Sequence, residues 1–163
     1  MSIKLKNSKY NEKDLKESIF DILNKNSTLA LATIKNNTSY INTAHFGFNE
    51  DLELFILTLP SSQHTKNADI NNSVAVAVWT EPKALGQDLQ GLQLFGKYEK
   101  VEDNDLVNAI KAYSVHSLVF SSKSPEDLQK IESKFYKITI YNIKLIDELR
   151  FGKRNYIDIE VER

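Results

Sequence analysis

The chain has 163 residues, 41% hydrophobic and 26% charged, which suits one domain over residues 1–163 with a proper core. Lys and Arg number 21 against 22 Asp and Glu; the resulting net charge of -1 argues against a dedicated nucleic-acid binder, which normally shows a basic excess. There is no cysteine, so disulfides, thiolate metal sites and cysteine nucleophiles are excluded.

The opening MSIKLKNSKYNEKDLK holds no apolar core for a secretory signal, and no run is long enough to cross a bilayer. A soluble cytoplasmic protein is expected. From Asn11 to Asn24 the apolar residues Leu15, Ile19, Ile22 and Leu23 recur with helical spacing. Asn11 suits the cap, with Glu12 and Asp14 at the positive end of the helix dipole. The period then changes. TLALATIK reads as a strand, KNNTS as a turn, YINTAHFGF as a second strand, NED as a turn and LELFILT as a third strand. Connections this short imply antiparallel hairpins. SVAVAVW sets Val74, Val76 and Val78 on one side and Ala75, Ala77 and Trp79 on the other, so something bulky is expected against the alanines.

EPKALGQD reads as a loop. LQGLQLFGKYEKV is a long strand whose Gly91 and Gly96 mark bends or the close approach of another body. DLVNAIKAY is helical, with Leu106, Val107, Ile110 and Tyr113 on one face. SPEDLQKIESKF carries a helix start, Ser124 as cap and Pro125 in the first turn. YKITIYNIKLIDEL is a strand, and FGKRNYIDIEV is one more strand or an extended tail. Six or seven antiparallel strands with a few helices favour a closed or nearly closed small barrel over an open sandwich.

The stretch LFILTLPSSQHTKNADI places Ser61, Ser62, Gln63, His64, Thr65 and Lys66 where a strand hands over to a helix. Such a run is either an ordinary polar connection or a seat for an anion, since a helix start offers unpaired N–H groups.

The succession LALATI, YINTAHFGF, LELFILT with its polar follow-on, SVAVAVW and GLQLFGKYEKV resembles the pyridoxamine 5'-phosphate oxidase-like family of FMN-binding split barrels. KLIDELRFGKR is similar to the ending of a short bacterial branch of that family, and the resemblance spans roughly residues 12 to 155. It implies a mainly β, antiparallel split β-barrel of Greek-key type with peripheral helices, and a homodimer with FMN at the subunit interface. Residue by residue, it implies that Thr58 closes the third strand and that Ser62, Gln63 and His64 grip the FMN phosphate. Gln93 would lie near the isoalloxazine ring, with Asn42, Thr43 and Ala44 beside it. The basic run usual in the family after the threonine is here Ser62, Gln63 and His64, so Lys66 or backbone donors would assist, and pyridoxamine phosphate is not the expected substrate.

Each candidate has a plainer reading. His64 holds a phosphate when protonated, or is a solvent-facing histidine. Gln93 meets the flavin edge, or lies on the wet face of a strand whose Leu92 and Leu94 point inward. Trp79 stacks on a ring, covers a dimer seam or fills the core. Arg150, Lys153 and Arg154 meet an anionic substrate, or form a solvated tail. His45 and His116 have no partner at metal spacing, and no serine sits in a nucleophile elbow. The expected function is an FMN-dependent oxidoreductase of unknown substrate with no assignable acid or base. The alternatives are a non-catalytic flavin- or haem-binding protein on the same fold, and a single-strand nucleic-acid barrel, which the neutral charge disfavours.

Overall fold

A computed structural model describes residues 3–82, 84–116 and 131–163. Helix α1 (Glu12–Asn24) begins as its sequence dictates: the Asn11 side chain accepts from the Asp14 N–H at 2.9 Å, and Leu15, Ile19, Ile22 and Leu23 are fully buried. Strand β1 (Lys4–Lys6), not expected from the sequence, precedes it and pairs with the last strand.

Strand β2 (Thr28–Lys35) turns back into β3 (Thr38–His45) through Asn36 and Asn37, at φ 49° and 59°. Positive φ at both positions gives the primed turn whose twist matches paired strands, and asparagine tolerates that conformation. The single strand expected over 40–48 is in fact two. It breaks at the buried Phe46, and β4 (Gly47–Phe48) pairs instead with β5 (Glu53–Thr58). The short α2 (Gln63–Ala68) and strand β6 (Ser73–Thr80) follow, with Val74, Val76 and Val78 buried.

After the loop come β7 (Gln90–Lys100), a 3-10 turn at Asp103–Asp105 and α3 (Leu106–His116). The buried face of α3 is Ala109, Ala112 and Tyr113, whereas Val107 is 65% exposed, a rotation from the expected stripe. The helix leans its alanines on β4, where a Cβ built on Gly47 would lie 2.4 Å from the Ala112 carbonyl oxygen. The helix expected from Ser124 falls outside the described residues, apart from its end, where Lys134 and Phe135 already open β8 (Lys134–Asp147). The one-turn α4 (Glu148–Phe151) and β9 (Tyr156–Glu162) complete the chain.

The strands form one antiparallel sheet, in the order β1-β9-β8-β7-β6-β2-β3, with β5 paired to the first half of β8 on the same flank on which β9 pairs its second half. The sheet does not close, because no ladder joins β3 to β5. Helix α2, which continues directly from β5, packs on β2 and β3. On β8 the inward residues are Tyr136, Ile138 and Ile140, then Ile143 and Leu145, a slip of one residue. A bulge opposite Phe95 and Gly96 absorbs it, leaving Tyr141 43% exposed and every apolar side chain on its correct face. Among the described residues no helix is long and apolar enough to cross a membrane.

Candidate functional site

At the end of β5 the backbone turns through Leu59 to Ser61 into α2, whose cap Ser62 makes no side-chain cap bond. Its hydroxyl is used otherwise. Ser62 Oγ lies 3.1 Å from His64 Nε2 and donates to Thr65 Oγ1 at 2.9 Å. Thr58 Oγ1 lies 3.1 Å from the same imidazole nitrogen. Thr65 is buried and joins the Tyr98 hydroxyl at 3.1 Å, and Tyr98 stacks on Tyr136 with centroids 5.1 Å apart. A connected line of polar groups therefore runs from the half-buried His64 to the barrel interior.

Asn67 anchors the helix from below. It is fully buried, donates to Thr33 Oγ1 at 3.0 Å and accepts from Gln63 Nε2 at 2.7 Å. Gln63 is thus turned back along the helix. Lys66 is exposed in the last turn, at the end of α2 away from Ser62. With only six residues, α2 adds little dipole, so the chemistry of this junction rests on its side chains.

Partial burial holds the His64 imidazole below its ordinary value of 6.5, and burial pushes the Tyr98 and Tyr136 hydroxyls up. A base harder to protonate when folded binds fewer protons in the native than in the unfolded chain. His64 therefore adds stability above the ordinary histidine range, and that stability is lost as pH falls through and below it. Urea unfolding between pH 5 and 8 is expected to show this acid-side decline in the wild type and a flatter profile in His64→Gln. Identical profiles would mean that His64 titrates as it does in the unfolded chain.

The second group of candidates lies on the outer face of the sheet. Cross-strand register sets Thr43, Ala30, Ala77, Gln93 and Lys144 in one row, and Ile41, Ala32, Ala75, Phe95 and Asn142 in the next. Gln93 is exposed between the inward Leu92 and Leu94. Trp79 is not a core residue: it is 55% exposed, opposite Gly91. Ile41, 75% exposed, lies on the same face, where small residues line the centre: Ala30 is buried and Ala32, Ala75 and Ala77 are half-buried. Asn42 and Ala44 have the opposite parity to Thr43 and turn inward with Leu31 and Leu29. The Asn42 Oδ1 is buried and, among the described residues, has no hydrogen-bond partner.

The structure thus gathers Thr58, Ser62 and His64 into one cluster, with Gln63 beside it, and does not bring Gln93 or Trp79 to it within one chain. Gln93 and Tyr98 are five residues apart on β7, about 16 Å at ~3.3 Å per residue, on opposite faces. Thr65, Asn67 and Tyr98, which hold the cluster in place, were not singled out from sequence. Thr65 and Asn67 lie in the same polar run, and only their burial separates support from site.

The basic residues near the end serve the fold. Arg150 pairs with Asp21 at 2.5 Å, Glu17 at 3.2 Å and the buried Asp147 at 3.6 Å. Lys153 pairs with Asp88 at 2.6 Å and Glu148 at 3.5 Å, clamping the loop before β7. These two cations are engaged by carboxylates of their own chain, against the alternative of an anionic-substrate contact. Among the described residues no group of three or more His, Asp or Glu is placed to hold a metal ion.

No protein-family model and no curated protein matches the sequence. Solved structures do. A haem-binding protein from Mycobacterium smegmatis superposes with a TM-score of 0.71 at 12% identity over 88% of this chain, which spans only 56% of that one. A FAD-binding protein from Mesorhizobium loti gives 0.62 at 19% identity, covering 88% of this chain and 96% of its own. A candidate pyridoxamine 5'-phosphate oxidase from Listeria innocua gives 0.63 at 17% identity, covering 80% and 97%. The fold is the split β-barrel of pyridoxamine 5'-phosphate oxidase-like proteins. At these identities the likeness speaks for the fold alone.

Proposed function

We propose that the chain is a single-domain, cytoplasmic FMN-binding protein that acts as an oxidoreductase, with FMN held at the interface of a homodimer. The observation that carries the reading is the convergence of Thr58, Ser62 and His64 on one point at the β5–α2 junction, where hydroxyls and an imidazole suit the oxygens of a phosphate. Gln93 and Trp79 lie on the outer face and belong to the ring end of a ligand shared between two copies. One chain's phosphate cluster and the partner's sheet face then complete each site. Alanines 30, 32, 75 and 77 let the partner approach closely, and a ligand pocket that buries most of its ligand needs the second wall. Bound FMN supplies electron transfer; the residues of this chain bind it, orient it and hydrogen-bond its edge.

Sedimentation velocity of apo-protein mixed with FMN, followed at the flavin absorbance, tests cofactor and assembly together. The flavin is expected to travel with a species of twice the 18.7 kDa chain mass. Flavin left at the meniscus would refute the cofactor, and flavin travelling with a monomer would refute the shared site.

One observation favours a second reading, a haem-binding protein on the same fold. His45 Nδ1 donates to the Ser27 carbonyl oxygen at 3.2 Å, which leaves Nε2 as a bare ligand nitrogen on the exposed end of β3. A Soret band in protein purified without added cofactor would select this reading over flavin.

A further inference from the structure

We infer that the phosphate end of the ligand is gripped with uptake of one proton from solvent by His64, so that binding is coupled to pH. The inference rests on the FMN reading above and adds its regulation.

The geometry of the junction leads to it. Ser62 Oγ spends its only proton on Thr65 Oγ1, so at 3.1 Å it can only accept from His64 Nε2. Nε2 therefore carries the hydrogen of the neutral ring, with Thr58 Oγ1 a second oxygen at the same distance. The remaining nitrogen, Nδ1, is the one that a second proton would occupy. Among the described residues it has no hydrogen-bond partner, and no carboxylate pairs with the ring.

No carboxylate of the described residues pairs with the ring to hold a positive charge on it. Tyr98 from β7 meets the imidazole edge-on at 6.4 Å, with Tyr136 of β8 stacked behind it. Both hydroxyls are held neutral by burial. Lys66 on α2 and Asp69 at its C-cap bear opposite charges and are both exposed, and the Asp69 carboxylate acts on the Tyr98 and Tyr136 hydroxyls, pushing them further up. Burial thus disfavours the charged form of the ring.

A phosphate dianion seated on Thr58, on His64 and on Ser62, whose hydroxyl turns its proton from Thr65 to a phosphate oxygen, changes that balance. It brings two negative charges against one imidazole, and the doubly protonated ring gives a charge-assisted bond that the neutral ring cannot. The proton comes from solvent, no bond to carbon or phosphorus changes, and the complex holds one positive charge more than its separate parts. Affinity for the phosphate then falls as pH rises, by up to tenfold per unit above the bound-state titration.

Calorimetric titration of the full chain with FMN at pH 7.5, in two buffers of different ionisation enthalpy, counts the protons. Phosphate monoesters have their second titration near pH ~6, so the ligand is largely dianionic there and contributes little of its own. The wild type is expected to take up close to one proton per FMN, and none with riboflavin. His64→Arg is expected to bind FMN with no uptake, because guanidinium is charged throughout. His64→Gln is expected to bind more weakly, also without uptake. FMN binding by the wild type with no proton uptake, or the same uptake in His64→Arg, would overturn the inference and leave the flavin reading standing. Failure of both FMN and riboflavin to bind the wild type would overturn both.

Discussion

Ser62→Ala combined with His64→Ala is expected to weaken FMN by tenfold to a hundredfold and to leave riboflavin nearly unchanged. The two ligands differ only by the phosphate, so their ratio isolates that end of the site. Each charge-assisted bond is worth about 1.5–3 kcal/mol, and 1.4 kcal/mol is a factor of ten. The full sum is not expected, because Ser62 and His64 touch at 3.1 Å and neighbouring substitutions do not add. Thermal unfolding of the same variant shows whether losing the Ser62–Thr65 bond disturbs the helix. Equal losses of FMN and riboflavin would assign the cluster to the fold, as a support for α2 over the split.

The largest effect on stability is expected from Gly47→Ala. A Cβ at this position would lie 2.4 Å from both Ala112 O and Tyr113 Cα, and 2.6 Å from Ala112 C. These are backbone atoms of α3, which no rotamer change can move. The helix must shift as a body, and the cluster of Phe55, Val101, Ala109, Ala112, Tyr113 and Phe135 opens with it. Overpacking typically costs about 1–3 kcal/mol, and with a backbone obstacle the upper end or beyond is expected. For a chain of this size that corresponds to a fall in Tm of roughly 6–12 °C. Urea and thermal unfolding measure it, and an unmoved midpoint would mean that α3 does not rest on β4. The cluster reaches the β5–α2 junction through Leu57 and Phe135, so the FMN-to-riboflavin preference of whatever folded variant remains shows whether the shift of α3 is passed on to Thr58.

Much of the fold was legible because local physics dictates it. Asn11 with the period of Leu15, Ile19, Ile22 and Leu23 defines α1, and the alternation of Val74, Val76 and Val78 defines β6 and its inner face. Asn36 and Asn37 mark a turn wherever they occur between two strand runs, since few other side chains accept positive φ. The candidate site was legible only as a run of polar residues. From sequence alone, Ser62, His64, Thr65 and Asn67 are equivalent members of that run.

Position in space separates them. Thr65 and Asn67 are buried against Tyr98 and Thr33, partners 33 and 34 residues away, whereas Ser62 and His64 stay at the rim with Thr58. The break at Phe46, the turning of α3 onto its alanines and the pairing of β1 with β9 were likewise invisible, because each depends on a surface supplied by a distant part of the chain. The basic tail shows the same principle through electrostatics. Arg150 and Lys153 look available in the sequence, and only the folded chain brings Asp21, Glu17, Asp88 and Glu148 within reach of them. By itself the sequence determined the strand and helix periods and the hairpin turn, since these follow from neighbours a few residues apart, while the split barrel was legible only through the family resemblance. The tertiary structure decided which polar groups are supports and which face a ligand, because burial and charge pairing are set by contacts that cross the whole sheet.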